Sequence, residues 1–344
     1  MKKIQFFLSL TVLMGFLASC STKVDLYADY KDIPVVYGLL DATKDTNYVK
    51  IVRAFSGSDE ATVDATQVAL IADSCNYPGK LNAKIYRYKR AFGNTYDLDG
   101  TVELDTMTIH DKDSGTFYYP NQRVYYATSG IKPNTDYDTY KYRLEIIKGT
   151  DTISSETGIV GGGRFNITNV TLDFVLEETT DNVKIYFRPA ANAAVYHMEL
   201  DFLFKKTIGG VSTFHTVHQS FGMRNPDALG MSEDGSTYYV SCSKNLLFDL
   251  LTMARANDDQ LHTTYTYDPR NSLTVSLAAG GDELYNYIII NQGAGGLSQS
   301  VPDYTNINGG YGVFSSRVNI KKTVKLGYRA QADMTTFGFT PEDF

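Results

Sequence analysis

Tryptophan is absent from the 344 residues, cysteine occurs three times and histidine five times. The missing indole removes the strongest ring for stacking on a sugar, which weighs against a tryptophan-built glycan platform. Three cysteines cannot make a disulfide framework, and neither Cys75 nor Cys242 stands in a Cys-x-x-Cys pair, which argues against a structural zinc site. These two cysteines lie far apart and are expected to be buried free thiols, although an oxidising compartment would let them pair. Basic residues are in deficit, 32 against 39 acidic ones, and the formal charge of −7 becomes −9 once Lys2 and Lys3 are removed. A nucleic-acid binder needs a basic stripe, so that class is excluded. Catalytic signatures are missing as well. The nearest stretch to a nucleophile elbow is Gly230-Met231-Ser232-Glu233-Asp234-Gly235, whose second glycine comes one residue late. Gly293-Ala294-Gly295-Gly296 lacks the lysine of a phosphate-cradling loop.

One long apolar run is present, and it stands at the start. Lys2 and Lys3 precede an uncharged stretch, Ile4 to Leu17, which leads into Leu17-Ala18-Ser19-Cys20. A charged and then apolar segment of this length reads as a secretory signal peptide. It is shorter than the roughly 18 apolar residues that suggest a membrane-spanning helix. A cysteine directly after Leu-Ala-Ser resembles the bacterial lipobox, in which that thiol receives a diacylglyceryl group. The resemblance implies a signal over 1–19, lipid attachment at Cys20 and a tether over 20–32. The alternative is an ordinary signal followed by a chance cysteine. Two acyl chains suffice for stable anchoring, so no further membrane segment is required.

From Ile33 onward the pattern is that of strands. Val35 to Leu40, Tyr48 to Arg53, Ala83 to Tyr88, Val102 to Ile109, Val124 to Ala127, Tyr140 to Ile146 and Thr152 to Val160 are short apolar or alternating runs with period two. Asp97-Leu98-Asp99-Gly100, Asp111 to Gly115 and Gly149-Thr150-Asp151 read as turns. Residues 61–72 fit a short helix or a strand with a loop. Many short strands without a long helix predict a mainly β fold, with an N-terminal immunoglobulin- or transthyretin-like sandwich over 33–160. Gly161-Gly162-Gly163 marks a boundary, making 161–164 a linker to a β-rich second domain over 165–344. Strands are expected there over Phe165 to Val175, Val183 to Phe187, Tyr238 to Val240, Tyr265 to Tyr267, Leu273 to Leu277, Tyr311 to Phe314 and Val318 to Leu326. Tyr196 to Phe204 and Val211 to Phe221 form an expected hairpin turning at Gly209-Gly210. One or two helices accompany them. Leu246, Leu247, Leu250, Leu251 and Ala254 share a helical face behind Ser243, a suitable N-cap. Residues 282–292 fit helix through Leu284, Tyr287 and Ile288, or strand through their β-branched run.

Candidate ligand sets are few. Asp97, Asp99, Asp111 and Asp113 concentrate carboxylates, and Asp-x-Asp-Gly suggests calcium, although the glycine falls too early for the twelve-residue calcium loop. Turn chemistry explains the same residues without a metal. His197, Glu199 and Asp201 would share one strand face and could present metal ligands; a solvent face opposite Met198, Leu200 and Phe202 accounts for all six. His215 and His218, three apart, do not converge on a strand. No metal, cofactor or catalytic residue is therefore assigned. The 26 tyrosines suit strands by propensity and would also suit contact surfaces.

Several blocks together resemble a family of two-domain lipoproteins of Bacteroidota classed only as a domain of unknown function. They are Pro34-Val35-Val36-Tyr37-Gly38-Leu39-Leu40 after Cys20, Tyr142-Arg143-Leu144 with Gly149-Thr150 and Thr157, and Glu283-Leu284-Tyr285-Asn286-Tyr287. The most specific block is Tyr304-Thr305-Asn306-Ile307 followed by Asn308-Gly309-Gly310-Tyr311-Gly312-Val313-Phe314, with one residue more between the paired glycines than the family pattern has. The resemblance implies a non-enzymatic outer-membrane lipoprotein, accessory to a TonB-dependent receptor in nutrient binding or uptake. It carries over no catalytic residue. Ser21 to Asp25 is not a clear acidic export signal, so the face of the membrane stays open. Two other classes fit a lipobox with two β domains. A fimbrial or adhesive subunit would need a detachable strand and a cleavage point, for which Arg53, Arg87 and Arg164 are candidates. A glycan-processing enzyme would need two acidic residues facing each other across a cleft.

Overall fold

The structure, a computed structural model, describes residues 32–54, 65–173, 182–243, 248, 251–252, 255, 263–292 and 304–344. Cys20, its signal and nearly all of the tether lie outside them, as does the glycine loop 293–296. The fold is mainly β. Strands β1 (Pro34–Leu40) and β2 (Asn47–Arg53) pair antiparallel across a polar turn. Asn47 closes that turn: its Oδ1 accepts from the Asp41 N–H at 2.6 Å, and its Nδ2 donates to the Asp41 carbonyl at 3.1 Å. Of the 61–72 stretch that fitted either helix or strand, 61–64 lie outside the described residues and the rest holds a short helix, α1 (Ala65–Ala69); a second, α2 (Ala72–Cys75), begins at its end.

β3 (Asn82–Arg90), β4 (Tyr96–Glu103), β5 (Asp105–Ile109), β6 (Gln122–Ala127), β7 (Tyr140–Lys148) and β8 (Asp151–Gly158) complete the N-terminal half. One layer runs β1-β2-β6-β5 and the other β4-β3-β7-β8. Val36, Val49 and Tyr125 of the first layer meet Ile85, Tyr142 and Leu144 of the second in a common core. This half is a β-sandwich. Two expectations fail within it. Asp97 to Gly100 is strand, not turn, because the β3–β4 reversal occurs earlier, at Phe92–Asn94. The run 102–109 is two strands in different layers, since the chain crosses between sheets at buried Leu104.

The C-terminal half contains β9 (Asn166–Ile167), β10 (Thr171–Leu172), β11 (Asn182–Arg188), β12 (Val195–Ile208), β13 (Val211–Arg224), β14 (Gly230–Met231), β15 (Tyr238–Ser243), β16 (Thr263–Tyr267) and β17 (Leu273–Gly280). After these come helix α3 (Asp282–Gln292), strand β18 (Tyr311–Leu326), helix α4 (Tyr328–Thr336) and strand β19 (Phe339–Pro341). The single strand expected over 165–175 is two-residue β9 and β10, which join different sheets. The β12–β13 hairpin does turn at Gly209 and Gly210, whose φ values of 56° and 84° suit a tight hairpin turn. Of the helix expected after Ser243, residues 248, 251 and 252 are described and helical, and Phe248 and Leu251 are buried. Ser243 itself ends β15, and the start of that helix lies outside the described residues. The 282–292 stretch is helix: Asp282 and Glu283 in its first turn favour the positive N-terminal end. Among the described residues, no helix is long and apolar enough to cross a membrane.

β18 ties the halves together. The sequence suggested two separate strands, yet the 16 residues from Tyr311 to Leu326 are continuous. Its first part pairs parallel with β1 and its second antiparallel with β17. One 11-stranded sheet therefore runs β19-β16-β12-β17-β18-β1-β2-β6-β5, with β13 beside β12 and β10 beside β18. Ile307 and Phe314 enter the N-terminal core, while Val318, Val324 and Leu326 enter the C-terminal one. Burying Phe314 completely contributes roughly 1.5–3 kcal/mol.

Candidate functional site

Where the halves meet, a polar seam is built from side chains far apart in sequence. Ser155, Thr157, Ser315 and Ser316 are all buried there. Each finds a partner, as burial demands. Ser155 Oγ donates to the Asn306 carbonyl at 2.7 Å, and Ser316 Oγ donates to the Gly158 carbonyl at 2.8 Å while accepting the Val160 N–H at 2.9 Å. Thr157 Oγ1 and Ser315 Oγ both donate to Glu283 Oε2, each at 2.9 Å. Ser315 Oγ also accepts the Leu284 N–H at 3.2 Å, so strand β18 caps α3 from outside the helix.

The glycines just before and at the start of β18 have a steric cause. Gly312 lies at φ 112°, and a Cβ there would stand 2.0 Å from the Val36 carbonyl oxygen; one on Gly310 would stand 2.6 Å from that of Pro34. Only glycine lets β18 approach β1 this closely. Asn306 replaces a missing strand neighbour, its Oδ1 accepting the Phe314 N–H at 2.9 Å and its Nδ2 donating to the Phe314 carbonyl at 2.7 Å. The Gly161–Gly163 turn is fixed by reciprocal backbone bonds between Gly161 and Ala191 at 3.2 and 2.8 Å. Asn192, at φ 56°, donates from Nδ2 to the carbonyls of Tyr137 and Ile159. Left-handed backbone is one that Asn tolerates better than other side chains with a Cβ.

A cleft of about 350 Å³ opens over this seam. Thr157 and Gly158 at the end of β8, Tyr140 and Lys141 at the start of β7, and Gly281 to Glu283 at the start of α3 form its walls, with Tyr96 and Asn192 at the sides. Four carboxylates line it: Asp138, Glu156, Asp282 and Glu283. The Lys141 ammonium lies 4.5 Å from the centre of the Tyr96 ring. Such a surface offers many acceptors, one cation, an aromatic ring and a carboxamide. It suits a hydroxyl-rich ligand and repels an anion. Among the described lining residues there is no histidine, cysteine or serine to form a nucleophile–base pair.

The residues singled out in the sequence fall elsewhere. Asp99 Oδ2 accepts from Arg87 Nε at 2.6 Å, and Arg87 Nη1 donates to the Gly130 and Lys132 carbonyls, so the pair fastens a loop to β3. Asp97 stands opposite Lys89 on β4, whereas Asp111 and Asp113 follow β5 of the other layer. His197, Glu199 and Asp201 do share the outward face of β12, opposite buried Met198, Leu200 and Phe202. Their partners come from β13: His197 Nε2 with Ser220 Oγ at 2.7 Å, and Asp201 Oδ1 with His218 Nδ1 at 2.7 Å. His215 instead bonds Thr213 Oγ1. Among the described residues, no group of three or more His, Cys, Asp or Glu side chains is arranged to hold a metal ion. Ser232 belongs to a local turn, donating to Asp234 Oδ1 at 2.6 Å. Cys75 and Cys242 are free: Cys242 is buried, which pushes its thiol up to about 12, and Cys75 is half-buried. Arg53 ends β2, Arg87 lies inside β3, and Arg164 is exposed in the turn before Phe165. Thr157 and Glu283 stand in separate blocks of the family resemblance, and nothing in the sequence joins them into one cleft because they are 126 positions apart.

No protein-family model matches the chain, and no curated protein matches it.

Proposed function

We propose that this chain is a lipid-anchored envelope protein that binds a hydroxyl-rich nutrient, such as an oligosaccharide, in the cleft between its halves and serves a TonB-dependent outer-membrane receptor. The cleft carries the proposal. Its volume lies within the range of small-molecule sites, and it stands at a junction of two cores, where such sites concentrate. The carboxylates and Asn192 Oδ1 offer acceptors for hydroxyls, and the Lys141 ammonium offers a donor. The anchor rests on Leu17-Ala18-Ser19-Cys20, and the receptor on the blocks that resemble the lipoprotein family.

Isothermal titration calorimetry with a panel of neutral oligosaccharides tests the ligand class. At least one should bind saturably, and Glu156→Gln with Asp282→Asn should weaken it tenfold or more; no binding across the panel would refute the cleft reading. Affinity capture from membranes tests the receptor, and recovery only with fimbrial subunits would favour a pilus role. Cys20→Ser should move the protein from the membrane to the soluble fraction. A second reading, hydrolysis of a glycan, draws on the four carboxylates that share this cleft. Product formation from a bound oligosaccharide, lost in Glu156→Gln, would favour it over simple binding.

A further inference from the structure

A second cavity, about 210 Å³, lies on the opposite face of the β1–β2 hairpin from the N-terminal core. Strand alternation sets its floor: Val36, Val49 and Ile51 point into the core, so Val35, Tyr37, Lys50 and Val52 point away from it. Register places Val35 beside Val52 and Tyr37 beside Lys50. The walls come from Cys75 at the end of α2 and from Lys112, Phe117 and Tyr118 beyond β5. The Tyr118 N–H donates to the Ala69 carbonyl at 2.8 Å, which holds this wall against α1.

Three cations reach the cavity, and they differ in what they already hold. Arg53 is committed, its guanidinium donating to the Ser74 carbonyl at 3.3 Å and to that of Asp73. Lys112 Nζ donates to the Tyr118 carbonyl at 2.6 Å and to the Phe117 carbonyl at 3.5 Å, which leaves one of its N–H bonds available. Lys50 is half-buried, and among the described residues its ammonium has neither a hydrogen bond nor an ion pair. Burial, and then the neighbouring Lys112 charge, hold its pKa below the ordinary lysine value. No Asp or Glu is among the described lining residues. A desolvated ammonium beside a like charge is unfavourable until an anion joins it.

We infer that this cavity binds a small monocarboxylate with an apolar body, the carboxylate seated between Lys50 and Lys112 and the body against Val35, Val52 and Phe117. The size follows from the volume: an apolar cavity of about 150 Å³ accepts benzene. This one has room for one aromatic ring and a short carboxylate arm. The ligand is the chemical opposite of the hydroxyl-rich class suited to the cleft, so the two sites are separable.

The test titrates the purified protein with 3-phenylpropanoate and with its neutral counterpart, 3-phenylpropan-1-ol, by calorimetry at fixed ionic strength. The acid should bind at one site and the alcohol at least tenfold more weakly. Lys50→Met should weaken the acid at least tenfold and leave the alcohol unchanged. A second measurement needs no variant at Lys50: saturating acid, but not alcohol, should slow iodoacetamide alkylation of Cys75, which lines the cavity, by threefold or more. Equal affinity of acid and alcohol, an undiminished acid affinity in folded Lys50→Met, or unprotected Cys75 would each overturn the inference.

Discussion

At the scale of residues, two side-chain positions decide local packing, and both can be tested. Tyr142 is completely buried on β7, and its hydroxyl donates to the Ile131 carbonyl, pinning the loop ahead of the strand. Burial pushes its hydroxyl pKa well above the ordinary tyrosine value, so it remains a donor at any working pH. Tyr142→Phe keeps the ring and strands the carbonyl; it should cost about 1–2 kcal/mol in urea unfolding with an unchanged slope. Gly312 is the harsher case. Gly312→Ala combines a left-handed backbone with a clash against the Val36 carbonyl, and should cost at least about 2 kcal/mol. A loss under 0.5 kcal/mol there would mean that β18 can move away from β1. Sequence shows that a glycine block exists. It does not show that the Val36 carbonyl is what forbids a Cβ.

At the scale of elements, periodicity was a good guide to strands and a poor one to caps. Met198, Leu200 and Phe202 alternate with His197, Glu199 and Asp201, and β12 follows that alternation. Helix α4 went unseen because its N-terminal cap is remote: Asp173 Oδ1 accepts the Ala330 N–H at 3.0 Å, and Oδ2 meets Arg329 Nε at 3.2 Å. Burial alone would raise the Asp173 carboxyl, but these bonds outweigh it and leave its pKa lowered. Helix α3 is capped in a comparable way by Ser315, whose Oγ accepts the Leu284 N–H, while Glu283 Oε2 accepts from Thr157 and Ser315. Glu283→Ala leaves the Ser315 hydroxyl without its acceptor and the Thr157 hydroxyl with only the Gly158 carbonyl at 3.1 Å, and should cost about 2 kcal/mol, with faster amide exchange confined to the first turn of α3. The Ser232–Thr237 turn has its own pH response. The Ser232 hydroxyl, followed by the Ser236 N–H and hydroxyl, holds the Asp234 carboxyl down to about 2. An unfolded Asp titrates near about 3.9, so the turn's stabilisation is full above that pH and is lost as pH falls through about 2. The Ser236 amide shift should titrate with that midpoint, and Asp234→Asn should abolish the transition.

At the scale of the molecule, β18 makes the two cores one cooperative system. It contributes Phe314 to one core and Val318, Val324 and Leu326 to the other without a break. Thermal unfolding should therefore show one transition, coincident by far-ultraviolet and near-ultraviolet circular dichroism; two separated transitions would mean that the halves unfold independently. The sequence by itself determined the class of fold, the hairpin at Gly209-Gly210 and most strands, because each depends on neighbours within a few positions. It also carries the lipobox-like Leu17-Ala18-Ser19-Cys20, a signal read along the chain. Tertiary structure alone decided the continuity of β18, the crossing at Leu104, the seam that binds Thr157 to Glu283, and the approach of Lys50 to Lys112, where Lys50 has no ion pair among the described residues. Those contacts join residues tens to more than a hundred positions apart, and a periodic pattern holds no information about which distant partner fills a face.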